Sequence, residues 1–218
     1  MITHPSILRV SLIAPSGSGK STTAAFMLER CGMLGLSARI VKLAAPLYRL
    51  QQQFYRVAGI DIDPGAQNQK LLEDIATHLR IIRSDAIVCD FLGRLSAEAS
   101  DVVINDDLRD METDLPALQQ AGFIVVRVSA SPGVIEKRLD ARRDLQTQRV
   151  SALDVPMLAH RPDHVIVNDG GDIDADRMRV HAFLDLLLAR YGGQDRASSD
   201  SAGRHITVLT PRLTERVG

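Results

Sequence analysis

Eight residues, Ala14-Pro15-Ser16-Gly17-Ser18-Gly19-Lys20-Ser21, have the types and spacing that hold a polyphosphate. Gly17 and Gly19 allow backbone conformations that a side chain forbids. Inward-pointing N–H groups then form a concavity for anions. A helix opening at this point adds its positive dipole end. Lys20 is expected to reach the β- and γ-phosphates of ATP, and the Ser21 hydroxyl to hold Mg²⁺. Ser16 through Thr22 make up the expected nucleotide cradle: Ser16, Gly17, Ser18, Gly19, Lys20, Ser21 and Thr22. Ala14 stands where the first glycine of such a P-loop is usual, and alanine fits there if its φ is negative.

Further charged residues lie where strands should end. Asp106-Asp107-Leu108-Arg109 follows the apolar run Val102-Val103-Ile104. Asp106 is the expected partner of Ser21 at the metal, with Asp107 as the alternative. Asp107 is read as a carboxylate that orients the acceptor or a metal-bound water. Arg109 is read as a bidentate grip on an acceptor phosphate. A structural salt bridge or a helix cap is the competing reading of this trio. Lys137, Arg138, Arg142, Arg143 and Arg149 form a basic stretch suited to a lid over phosphates.

The positioning elements follow from the pattern. Ile7 to Ile13 reads as the first strand and Thr22 to Met33 as the P-loop helix. Ser37 to Leu43 reads as a second strand, and Pro46 suits the first turn of a helix running to about Val57. Leu71, Leu72, Ile75, Leu79 and Ile82 recur at helical spacing between Gln67 and Arg83, and a further helix is expected from Asp85 to Ala99. Asp101 to Asp107, Phe123 to Ser129 and His164 to Val167 read as strands, with helices from Glu112 to Ala121 and from Pro132 onward. The helix from Ile173 to Tyr191 should bury Met178, His181, Phe183, Leu184, Leu187 and Leu188. Alternating strands and helices imply an α/β fold with a parallel sheet and right-handed crossovers. Ligands of such sheets bind at the carboxyl ends of the strands, so the P-loop, Asp106, Asp107, Arg109 and Asn168 should meet in one cleft.

Composition narrows the classes. The 218 residues carry a net charge of −1, which gives no general field for nucleic acid. Cys31 and Cys89 fit no metal-ligand spacing and read as buried thiols of a reducing compartment. No membrane span or signal peptide is visible, so a cytoplasmic protein is expected. Only Lys20, Lys42, Lys70 and Lys137 are lysines in an arginine-rich chain, which raises the interest of each. A kinase, a GTPase and a motor-type ATPase all use a P-loop, and an ATP-sensing regulatory module is a non-enzyme alternative. Asn168-Asp169-Gly170-Gly171 is not the Asn-Lys-x-Asp of a GTPase, and a motor usually needs a larger domain. Several arginines converging on two anionic groups fit a kinase.

The order Lys42-Leu43-Ala44-Ala45-Pro46-Leu47, Lys70-Leu71-Leu72, Asp107-Leu108-Arg109 and Asp163 to Gly170 resembles the deoxynucleoside monophosphate kinases of the bacteriophage type. It is also similar to animal-type phosphomevalonate kinases. The resemblance spans about residues 7 to 190. It implies a three-layer P-loop NTPase fold with five parallel strands in the order 2-3-1-4-5, and a mobile basic lid at about 138–150. One kinase domain would occupy 1–191 and a polar tail 192–218.

The implied reaction moves the γ-phosphate of ATP to a small phosphate acceptor, a deoxynucleotide or a relative with a modified base. Arg109, Arg80 and Arg94 would bind the acceptor. Arg138, Arg142 and Arg143 would form the lid, and Asn168 to Gly170 would lie against the ATP base. Tyr48 replaces a lysine usual after Pro-Leu and is a candidate to stack on a base, with packing as its other reading. No tryptophan stands near Phe91, where the phage-type enzymes have one. Monomer and homodimer are both compatible with the sequence.

Overall fold

A computed structural model of the chain describes residues 8–140, 154–169 and 172–192. Its centre is β1 (Leu8–Ile13), which pairs in parallel with β3 (Val102–Asn105) on one side and β4 (Ile124–Ser129) on the other. β2 (Ala38–Ile40) extends the sheet beyond β3, and β5 (His164–Val167) beyond β4. The order is β2-β3-β1-β4-β5, as expected from the sequence.

Strands buried on both faces feed two cores. Leu8, Val10 and Leu12 point to the layer of α1 (Lys20–Met33) and α8 (Ile173–Tyr191), against Phe26, Met27, Val180, Leu184 and Leu187. Ile13, Val103 and Val125 face the other layer. That layer holds α2 (Ala45–Val57), α3 (Gln69–Ile82), α4 (Ala86–Ser96), α5 (Asp114–Gln120) and α7 (Asp154–Ala159). α6 (Pro132–Asp140) follows β4.

Three expectations differ from the fold. β2 ends at Ile40 rather than Leu43, because the amides of Leu43 and Ala44 are taken by the Asp107 side chain. The buried stripe of α8 is Val180, Leu184 and Leu187, while Met178 is exposed. Of the two thiols only Cys31 is buried. Cys89 is half-buried and donates to Asp85. The short helix α7 had no counterpart in the sequence reading. Arg142, Arg143, Arg149, Gly170 and residues 193–218 of the expected tail lie outside the described residues, as does the segment beyond Asp140 where a lid is expected.

Buried Gln51 holds α3 at its angle to α2. Its Nε2 donates to Ala66 O (2.8 Å) and its Oε1 accepts from Asn68 N (2.8 Å). Asn68 caps α3 by accepting from Leu71 N (3.1 Å). This tie sets the wall that α3 presents to the cleft.

Candidate active site

The loop between β1 and α1 turns through Gly17 at φ 85° and Gly19 at φ 91°, both left-handed. A Cβ on Gly19 would stand 2.2 Å from Asn168 Nδ2, and one on Gly17 would stand 3.1 Å from Ile135 and Leu139 of α6. Both glycines are therefore favoured by conformation, and Gly19 is required by space as well. Asn168, at the end of β5, donates to Ser18 O (3.3 Å). Arg138 of α6 donates to Asn168 Oδ1 (3.0 Å) and to Gly17 O (3.4 Å). Arg138 and Asn168 thus clip the outer edge of the loop.

Inside the loop, Lys20 Nζ donates to Ala14 O. Ser21 Oγ donates to Asp106 Oδ2 (3.2 Å), and Asp106 Oδ1 accepts Lys42 Nζ at 2.5 Å. A hydroxyl beside a buried carboxylate is a hard-oxygen pair. That suits Mg²⁺, which takes one or two protein oxygens and fills its shell with phosphates and water. The residues present therefore fit this ion. Thr22 is exposed on the first turn of α1.

The cleft beside the loop encloses about 560 Å³. Ser16, Gly17, Gly19, Lys20, Ser21, Lys42, Tyr48, Asp106, Asp107, Arg109 and Arg80 all line it. Residues far apart in sequence therefore meet at the carboxyl ends of the strands. Arg109 Nη2 donates to Ser16 Oγ (3.2 Å), which places a guanidinium beside the phosphate loop. Tyr48 is pushed well above its usual pKa by burial and by the Asp107 and Asp106 carboxylates, so it stays a neutral hydroxyl at pH 7.

The geometry places three candidate residues differently from their expected roles. Asp107 accepts from Leu43 N (2.8 Å), Ala44 N (3.0 Å) and Asn105 Nδ2 (2.7 Å). It caps the chain entering α2, which is the structural of its two readings. Arg94 is not among the residues that line the cleft. It donates to Lys42 O (2.8 Å) and Asp90 (2.8 Å) and lies over the Phe91 ring. Arg80 reaches the cleft, but paired with Asp110 (3.0 Å) and Asp114 (2.6 Å), so its charge is already balanced. The sequence reading missed Lys42. Its signal was there, as one of four lysines in the chain.

Asp114 carries a testable consequence. Burial pushes its carboxyl from 3.8 to about 6, against the pull of the Arg80 guanidinium. The folded protein then holds this proton more tightly than the unfolded chain. Stability from this group is present at low pH and declines as pH rises from about 4 to about 6, by up to about 3 kcal/mol, and is flat above. Asp114→Asn should remove that slope. Urea unfolding of both proteins across this range checks it, and parallel curves would refute the assignment.

No family model matches the sequence, and no curated protein matches it. Among solved structures the chain is similar to shikimate kinase from Acinetobacter baumannii in complex with shikimate. The identity is 15%, the match covers 85% of this chain and 96% of that one, and the TM-score is 0.51. It is also similar to the APS kinase CysC of Mycobacterium tuberculosis in complex with AMPPNP and APS (18% identity, 84% and 99% covered, TM-score 0.49). A gluconokinase from Sinorhizobium meliloti 1021 follows (16% identity, 88% and 99% covered, TM-score 0.47). At these identities the likeness is one of fold: the chain has the three-layer α/β fold of a P-loop kinase. Among the described residues no helix is long and apolar enough to cross a membrane.

Proposed function

We propose that the protein is a P-loop kinase that transfers the γ-phosphate of ATP to the phosphate of a small acceptor, a nucleoside monophosphate first among these. The observation that supports this most is how charge is distributed at the mouth of the phosphate loop. Lys20, Lys42 and Arg109 converge there, while the two carboxylates beside them are committed. Asp106 serves Ser21 and Lys42, and Asp107 serves backbone amides. A hydroxyl acceptor would ask for a carboxylate to take its proton. A phosphate acceptor is already ionised at neutral pH.

The transfer then balances without a base. One oxygen of the acceptor phosphate attacks the γ-phosphorus, the bond to the β-phosphate oxygen breaks, and its electron pair leaves with ADP. No proton moves in this step. Lys20 and the loop amides face the oxygens over which charge spreads. Ser21 and Asp106 would hold Mg²⁺, which neutralises charge between the β- and γ-phosphates when bound. Arg138 and Asn168 would close the nucleotide side. Arg109 would orient the acceptor phosphate, and Tyr48, which lines the same cleft, would contact the acceptor.

A second reading is a hydroxyl-bearing acceptor, as in shikimate kinase. The neutralised Arg80, with Asp110 and Asp114 beside it, favours that reading at the far end of the cleft. One experiment decides between them. ADP release from Mg²⁺·ATP is followed against all ribo- and deoxynucleoside monophosphates, base-modified monophosphates, phosphomevalonate, shikimate and gluconate. Turnover dependent on a monophosphate supports the first reading. Turnover only with a hydroxyl acceptor replaces it by the second. Slow ADP release that no acceptor changes would refute both and turn attention to a regulatory ATPase.

Arg109→Ala should raise the acceptor KM about a hundredfold, the scale of losing one bidentate charge-assisted contact, with the ATP KM changed about threefold or less. Initial-rate kinetics with each substrate varied in turn check this. Equal increases in both constants would make Arg109 a strut for Ser16 instead.

A further inference from the structure

The four residues from Val41 to Ala44 are held at almost every backbone polar group. Val41 N donates to Ile104 O (2.8 Å), and Val41 O accepts from Asn105 Nδ2 (3.0 Å). Lys42 O accepts from Arg94 Nη2 (2.8 Å). The amides of Leu43 and Ala44 donate to the two oxygens of Asp107. Three side chains from two other elements thus fix a stretch that carries one functional side chain, Lys42. That side chain is 36% exposed, whereas the Asp106 carboxylate it meets is 1% exposed. Buried charges persist in proteins when they are paired. Here the pairing cation is a lysine at the carboxylate that, with Ser21, suits Mg²⁺.

A divalent cation and an ammonium cannot share one carboxylate without strong repulsion. The four-carbon stem of lysine lets its ammonium move while the backbone stays fixed. On the kinase reading above, we propose that Lys42 holds the cation place at Asp106, yields it to the divalent ion that arrives with nucleotide, and then binds the acceptor phosphate. Lys42 lines the same cleft as Ser21, Asp106 and Arg109, so the exchange needs no movement of the backbone. Arg94, Asn105 and Asp107 are its positioning residues. Metal loading and acceptor binding would then be coupled, with Lys42 released to join Arg109 at the acceptor only once the nucleotide is loaded.

The test uses the full chain, its Lys42→Met, Lys42→Gln and Lys42→Arg variants, and Mn²⁺ with ADP as the probe. Free Mn²⁺ is followed by electron paramagnetic resonance, and folding by circular dichroism. Loss of the competing ammonium should lower the Mn²⁺ midpoint about tenfold in Lys42→Met and Lys42→Gln, the scale of one partly buried charge pair. Lys42→Arg keeps the charge and should stay within about threefold of the wild type. An unchanged midpoint in both neutral variants overturns the cation-place role. With a productive acceptor in hand, the neutral variants should also raise the acceptor KM at least about tenfold, while the KM of the metal–ATP complex falls or stays the same. A shifted Mn²⁺ midpoint with an unchanged acceptor KM overturns the transfer of Lys42 to the acceptor. If the wild type phosphorylates nothing, the kinase reading fails, and the Mn²⁺ midpoints still decide the first half.

Discussion

Lys20→Ala is expected to lower phosphoryl transfer by about a thousandfold or more, with the fold intact. Lys20 Nζ donates to Ala14 O, the carbonyl just past the end of β1. That bond closes the loop on itself and holds the ammonium inside the concavity. When a triphosphate enters, the ammonium exchanges one carbonyl for β- and γ-oxygens whose charge grows along the reaction. A group worth little in the ground state is worth most where charge develops. Stability should change little by comparison. One hydrogen bond of a half-buried cation is worth about 1–2 kcal/mol, or a few degrees in Tm for a chain of this length. Thermal denaturation and the acceptor-dependent rate, measured on the same preparation, separate the two effects. A variant that keeps more than a tenth of the rate would remove Lys20 from the chemistry.

The contrast between Lys20 and Lys42 shows what the sequence made legible. Everything that places Lys20 lies within a dozen residues: an apolar strand, two glycines at fixed offsets, a serine and a helix. Local pattern therefore announces both the site and the central strand. The parallel sheet was readable for a similar reason, since each strand is an apolar run followed by a helical one, whereas the strand order came from the family resemblance. Lys42 is placed by contacts that span the chain. Asp107 is 64 residues from Leu43, whose amide it holds, and Arg94 is 52 from Lys42, and neither has a local signal that ties it to Lys42.

The same holds for Arg80. Its position beside the apolar stripe of α3 was visible, but Asp114, the carboxylate that neutralises it, is 34 residues on. A charged residue read alone looks available for a ligand, and only the fold reveals which are already paired. The early end of β2 has this cause too. Pattern alone continues the strand through Leu43, and a distant side chain takes the amides that would have continued it.

Gly19→Ala should abolish nucleotide binding, lowering ATP affinity about a hundredfold or more, and should cost about 2–4 kcal/mol of stability. Two separate effects add. The first is conformational. Gly19 sits at φ 91°, and an L-residue there carries about 1–2 kcal/mol of strain that it relieves by turning the peptide. Turning the peptide aims loop amides away from the phosphates. The second is spatial. The new methyl would stand 2.2 Å from Asn168 Nδ2, so Asn168 must leave, and with it go its bond to Ser18 O and the Arg138 contact.

The double variant Gly19→Ala/Asn168→Ala tells these apart. Removing Asn168 opens the space but leaves the left-handed backbone, so stability should recover by about 1–2 kcal/mol while ATP affinity stays low. Calorimetric titration with ATP and urea unfolding of the single and double variants give both numbers. Recovery of affinity in the double variant would make the loss at Gly19 a matter of space alone. The anion-binding geometry would then owe nothing to the left-handed turn. If affinity stays low, the backbone conformation at Gly19 is what aims the amides. In that case Arg138 and Asn168 act only as a clip that keeps the aimed loop from relaxing.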